Sequence, residues 1–236
     1  MNRQKINDYY AQILPFYKMM ADNKTVQEID KKRKLSFFCT QWGDLFPEMT
    51  HEGLLFVGRA TNGWGNGIDP ERLPFNDPDQ MKWVDDIWHE HKGANGERLW
   101  RGNRSAFWRV IRSVTERYHK TEWFRHVAWS NLCKCSFLDK GNPSDLLWNT
   151  VIEQSVELLK VDVSMLSPKA VIMITGKWEK EIMARLFPDM EPSSFEHGGV
   201  IVNGTLYIAT ERPERRPEAP IVESICAAID NYGKLS

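Results

Sequence analysis

Cysteine is scarce in this chain of 236 residues: Cys39, Cys133, Cys135 and Cys226 are the only four, and no CxxC pair occurs. A disulfide framework and a structural zinc site therefore have little support, and isolated buried thiols are the expected use. Long hydrophobic runs are missing too. No stretch approaches the roughly 20 apolar residues of a membrane helix. The opening residues, MNRQKINDYYAQIL, lack the apolar core and cleavage site of a signal peptide. A cytoplasmic protein without a membrane partner is expected. Net charge is almost absent: Lys plus Arg number 31 and Asp plus Glu 32, a balance of −1. That balance excludes the overall cationic excess of many nucleic-acid binders and leaves room only for one basic face. Repeats, low-complexity tracts and Gly/Ser/Pro-rich linkers are also lacking, so residues 1–236 read as a single domain, with residues 1–50 as an N-terminal helical extension.

The usual nucleotide and hydrolase motifs fail on inspection. Thr175-Gly176-Lys177 looks like the tail of a phosphate loop, but the upstream glycine is missing and Trp178 stands where Ser or Thr belongs. Gly63-Trp64-Gly65 needs a third glycine at 68, where Ile68 stands. His89-Glu90-His91 is not the HExxH of a zinc hydrolase, and no GxSxG elbow occurs. No metal ligand is assigned.

With 42% hydrophobic and 27% charged residues, the chain has the composition of an ordinary folded protein. Ile6, Tyr9, Tyr10, Ile13, Phe16, Tyr17 and Met20 recur at helical spacing through the first 21 residues. Four segments read as strands: Leu54–Gly58, Val127–Lys134, Ala170–Thr175 and Leu206–Thr210. The first and third are continuous apolar runs, as suits strands covered on both faces. Val200–Val202 followed by Asn203-Gly204 forms a hairpin arm into the fourth. Helical patterns fill the intervals, one from near Arg104 with Phe107, Val110, Ile111, Val114 and Tyr118 on a face, one capped by Ser144, one after Gly176, and one after Pro217. Such alternation predicts an α/β fold, a three-layer α/β/α sandwich with a short, mainly parallel four-stranded central sheet. Ligands of such sheets bind beyond the carboxyl ends of the strands.

At those ends stand Gly58-Arg59-Ala60-Thr61-Asn62-Gly63-Trp64-Gly65, Asn131 with Lys134-Cys135, Thr175-Gly176, and Glu211-Arg212-Pro213-Glu214-Arg215-Arg216. A glycine-rich turn exposes backbone N–H groups and admits a flat ligand. Charge is locally uneven as well. Residues 69–90 hold seven acids and also Trp83 and Trp88, an insertion that is either a lid or packing. Residues 98–117 hold six arginines. On charge alone, the arginine run reads as a solvated face.

The order of these segments resembles the uracil-DNA glycosylase superfamily, especially its iron–sulfur-containing branch. LLFVG-RATNG stands where that branch has a GExPG-like loop, and Arg98-Leu99-Trp100-Arg101-Gly102-Asn103-Arg104-Ser105 is similar to its RPFVGRAG-like segment. Asn131-Leu132-Cys133-Lys134-Cys135 matches an NxxKC strand, residues 166–176 match LxPKxIxxxG, and Arg212-Pro213 stands in place of an HP loop. The likeness covers about residues 52–230 in the right order.

The resemblance implies a DNA-repair hydrolase that takes a base out of the stack and cleaves its N-glycosidic bond, with DNA or a nucleotide as partner. Asn131 would read the base edge, since one carboxamide offers both a donor and an acceptor. Trp100 would stack on the base, Trp64 would be a second wall, and Gly58 would let the base approach. Ser130 alternates away from Asn131, so only one of them can face the pocket. Arg98, Arg101, Arg104, Arg215 and Arg216 would pair with phosphates. Arg59 stands where several branches keep a water-orienting Glu, Asp or Asn, with Asn62 the nearest amide, and Arg212 stands in place of the histidine that supports the departing base. An arginine can stabilise an anion but cannot shuttle a proton. The cluster cysteines are not matched, so no iron–sulfur cluster or other cofactor is expected. Each of these residues also has an ordinary use: Asn131 in satisfying backbone groups, Trp100 and Trp64 in packing. A non-catalytic nucleic-acid or nucleotide-binding module on the same fold is the alternative.

Overall fold

The computed structural model describes residues 3–47, 52–61, 63, 65, 67–73, 81–88, 101–139, 141–176, 178–190 and 199–234. The first helix, α1 (Arg3–Ala21), is followed by α2 (Lys24–Lys32), whose start is set by Asn23: its side chain accepts hydrogen bonds from the Thr25 and Val26 amides. Two short strands come next, β1 (Leu35–Phe37) and β2 (Gln41–Trp42), and then β3 (Leu54–Ala60). A short helix α3 (Lys82–Asp86) precedes α4 (Ala106–Tyr118), and β4 (Val127–Cys133) leads directly into β5 (Cys135–Phe137). The chain continues through α5 (Asp145–Leu166), β6 (Ala170–Ile174), α6 (Glu179–Leu186), the hairpin β7 (Val200–Val202) and β8 (Thr205–Thr210), and α7 (Glu218–Tyr232). Ser105 caps α4 and Ser144 caps α5, as the Ser side chains accept the Trp108 and Leu147 amides.

One sheet has six strands in the order β2-β4-β3-β6-β8-β7. The four inner strands are parallel; β2 and β7 close the two edges antiparallel. The protein is thus an α/β protein with a mixed, mostly parallel sheet flanked by helices. The expected four strands are its parallel centre. Gln41–Trp42 adds an edge strand that two residues cannot announce by alternation, and the hairpin arm Val200–Val202 supplies the other. Residues 35–37 pair with residues 135–137 in a separate ribbon, so the segment expected as a helical extension also carries strands. Tyr9, Ile13, Tyr17, Phe37 and Trp42 from this segment are buried in the same apolar cluster as Leu55, Val57 and Leu132.

Alternation along the parallel strands divides the core. Leu55 and Val57 join α1, α2 and α5 on one face; Leu54 and Phe56 join α4 and α7 on the other. The second face is rich in tryptophan. Trp108 meets Trp129 with ring centroids 5.0 Å apart and Trp83 at 5.6 Å, while Trp88 meets Trp123 at 5.6 Å. Trp83 and Trp88 belong to the acidic insertion, so residues 81–88 pack against α4, and Asp85 and Asp86 face water. No helix among the described residues is long and apolar enough to cross a membrane.

Candidate functional site

The strand order places the reversal of winding between β3 and β6, where open parallel sheets receive ligands at their carboxyl ends. Gly58 lies in register with Asn131 on the neighbouring strand. By parity with Phe56 and Trp129, both look toward α4. A Cβ on Gly58 would come within 2.6 Å of Asn131 Oδ1 and 3.4 Å of the Phe107 ring, so glycine alone leaves room for the amide and the aromatic to converge. Asn131 is 2% exposed, and among the described residues its Nδ2 has no hydrogen-bond partner. A buried donor left without a partner costs about 1–3 kcal/mol, so it marks a place where a ligand group is rewarded. Phe107, in the first turn of α4, is half-buried and borders this amide.

Arg59 belongs to the other side of the sheet. Its Nε donates to the Thr175 carbonyl at 2.6 Å, and its guanidinium carbon lies 4.9 Å from the Trp178 ring centroid. Gly176, at φ +74°, is where Arg59 meets Arg212: a Cβ there would stand 2.9 Å from Arg59 Nη2 and 3.4 Å from Arg212 Cγ. Arg212 Nη2 also donates to Glu214 Oε1 at 2.6 Å. The two arginines expected at catalytic positions therefore assemble around the turn after β6, one strand away from β3 and its Gly58–Asn131 pair.

The remaining arginines divide by partner. Arg216 pairs with Glu211. Arg215 is exposed, at φ +64°, and Arg104 is exposed after the 3-10 turn Gly102–Arg104; neither has an ion pair among the described residues. Arg101 is half-buried beside that turn. Asn62, Trp64, Arg98 and Trp100 lie outside the described residues. Three arginines of the basic run are bound within the fold. Arg109 clamps α4 to α7 through Glu218 at 2.5 Å, Arg112 pairs with Glu116 at 2.6 Å and lies over Trp88, and Arg117 pairs with Glu223 at 3.0 Å. Even the glycine-rich loop has structural reasons for its composition. A Cβ on Gly65 would fall 1.9 Å from Ser36 Oγ, and Thr61 Oγ1 lies 2.6 Å from Ser136 Oγ, so the loop presses on the β1–β5 ribbon.

Ser130 faces away from Asn131 into a polar cluster that sequence reasoning missed. Lys134 Nζ, 1% exposed, donates to Asp162 Oδ2 at 2.5 Å, to Ser130 Oγ at 2.5 Å and to Thr40 Oγ1 at 3.1 Å. Its three donors are all used. Asp162 also accepts from Tyr9 at 2.7 Å, Thr40 at 2.6 Å and Ser130 at 2.9 Å. Burial, reinforced by the Asp162 charge, pushes the Tyr9 phenol well above its ordinary value. The nearby Cys39 thiol is raised to about 12 by burial, and so is Cys133. Every member of this cluster, which joins α1, β4 and α5, is buried.

Among the described residues no three His, Cys, Asp or Glu side chains are grouped to hold a metal ion. A concavity of about 300 Å³ lies at the opposite, amino-terminal edge of the sheet, between Leu54, Tyr118, His119, Lys169 and Asp230. It is away from the carboxyl-end residues. Comparison with models of known protein families finds no match, and no curated protein is similar to the chain.

Proposed function

We propose that this chain is a uracil-DNA glycosylase-like protein, a three-layer α/β/α domain that receives a nucleobase at the carboxyl edge of the sheet, beside Asn131. The observation that carries this reading is the buried Asn131 amide, whose Nδ2 has no partner among the described residues. A carboxamide pairs with a base edge that presents an acceptor next to a donor, and a ring beside it supplies stacking. In the hydrolytic form of this reading, a water held near Asn62 or Arg59 attacks the sugar and Arg212 stabilises the base anion. One observation favours the second form, a nucleotide-binding module without chemistry. Arg59 is engaged with the Thr175 carbonyl and the Trp178 ring on the far side of the sheet from Asn131.

The test is base release from uracil-containing single- and double-stranded oligonucleotides, run with direct binding measurements on the same samples. Release that Asn131→Asp abolishes establishes the hydrolase. Binding without release, lost in Asn131→Ala, establishes the binding module. Binding that Asn131→Ala leaves unchanged refutes the pocket.

A further inference from the structure

We propose that the concavity at the amino-terminal edge of the sheet is a second binding site, one for a small organic monoanion: a carboxylate carried on a compact apolar body. Two strands begin there. Leu54 opens β3 in register with Ala170 of β6, and the Lys169 amide donates to the Gly53 carbonyl at 2.7 Å. Two helices, α4 and α7, end over the same edge. They are tied together by the Arg117–Glu223 pair at 3.0 Å and by the Tyr118 hydroxyl, which donates to Asp230 Oδ1 at 3.0 Å. These four ends bound about 300 Å³, the lower end of the roughly 300–1,000 Å³ of small-molecule pockets. Leu54 and Ile229, both buried, supply the apolar part of the lining.

The polar groups around it suit an anion. Lys169 is half-buried, with its ammonium 5.8 Å from the Tyr232 ring centroid, and it has no ion pair among the described residues. Partly desolvated and unpaired, it gains more from a carboxylate than a surface lysine does. Gly233, at φ −63°, keeps it open: a Cβ there would stand 3.4 Å from Lys169 Nζ. Lys234 is exposed beside it, also without an ion pair among the described residues. The half-buried His119 imidazole lies flat on His126, makes no hydrogen bond among the described residues, and so can meet a ligand oxygen. Of the two carboxylates in the lining, Asp230 is held by Tyr118 and lies 3.8 Å from Arg117; Glu52 is exposed and has no cation partner among the described residues. Glu52 offsets part of the positive charge that a phosphate dianion would need, which selects a single charge. Lys169 and Lys234 also stand at the carboxyl end of α7, where cations offset the helix dipole. That role needs their charge but not the open space in front of Lys169.

Calorimetric titration of the full chain with benzoate, benzylamine and inorganic phosphate tests this. Benzoate is expected to bind, and benzylamine and phosphate to bind at least about tenfold more weakly. Lys169→Gln should weaken benzoate at least about tenfold. Gly233→Val keeps the lysine charge and fills the space before it, and it should weaken benzoate to a similar extent with the circular dichroism spectrum unchanged. Benzoate binding that Gly233→Val leaves intact would overturn the site and reduce Lys169 to a complement of the α7 dipole. Benzylamine binding as tightly as benzoate would overturn the anion, and phosphate binding as tightly would overturn the apolar body. Absence of benzoate binding at millimolar concentrations would overturn the proposal outright.

Discussion

Replacing Lys134 by methionine removes one charge from a place that water does not reach. Both partners of the Lys134–Asp162 pair are 1% exposed, so the remaining carboxylate keeps its charge at high cost. Breaking a buried pair in this way costs about 3–5 kcal/mol, and a whole domain is stable by only about 5–15 kcal/mol. The lower part of the range is expected, because Asp162 still accepts from Tyr9, Thr40 and Ser130. For a domain of this size, 3–5 kcal/mol is a fall in Tm of about 6–20 °C. Urea unfolding followed by circular dichroism gives the free energy directly. Asp162→Asn and the double variant complete a cycle: the amide removes the stranded charge and still offers an oxygen to Tyr9. The double variant should therefore be more stable than the sum of the two single losses by about 1–3 kcal/mol. A Lys134→Met loss below about 1 kcal/mol, or strict additivity, would refute the claim that the pair is dry and coupled.

Three further outcomes follow from the same structure. His119 and His126 stack with centroids 3.9 Å apart, and both imidazoles are held below their ordinary 6.5, chiefly by burial and for His126 also by His119 and Arg125. The unfolded chain thus binds more protons, stability falls as pH drops below about 6.5, and His126→Asn should flatten that fall in urea midpoints measured between pH 7.5 and 5.5; an unchanged slope counts against the stack. Gly58→Ala should cost about 1–3 kcal/mol and abolish binding of deoxyuridine, since the new methyl group would occupy the space of Asn131 Oδ1; retained binding sinks the pocket. Cys39 and Cys133 are pushed up to about 12 by burial, so their thiolate fractions at pH 8 are on the order of 10⁻⁴; burial raises the Cys135 thiol as well, and a disulfide reagent should label these thiols only after denaturation.

What could be read from the sequence was whatever announces itself locally. Leu54–Val57 and Ala170–Ile174 are apolar without interruption, and that pattern marks a strand covered on both faces. The opposition of Ser130 and Asn131 also followed from alternation, and the structure puts Ser130 among Thr40, Lys134 and Asp162. Strands of two or three residues carry no such pattern, so β1, β2 and β5 were not legible. Phe107 was assigned to the packing face of its helix; its place beside Asn131 depends on the absence of a side chain at Gly58, far away in sequence. Nothing local in the sequence marks Lys134 and Asp162 as a buried pair, because lysine and aspartate are almost never fully buried unless paired. The arginine run showed its charge but not its partners, since Glu218 and Glu223 lie about a hundred positions downstream.

The bond from Tyr9 to Asp162 spans 153 residues, and it sets a schedule for synthesis. As the chain leaves the ribosome, the amino-terminal helix emerges first with Tyr9, Ile13, Tyr17 and Met20 uncovered, and Lys134 follows without its counter-ion. Neither can be buried until α5 has cleared the exit tunnel, so about two-thirds of the polypeptide is exposed at once before the core can close. Translation pauses downstream of α5 should therefore be tolerated far better than pauses before it.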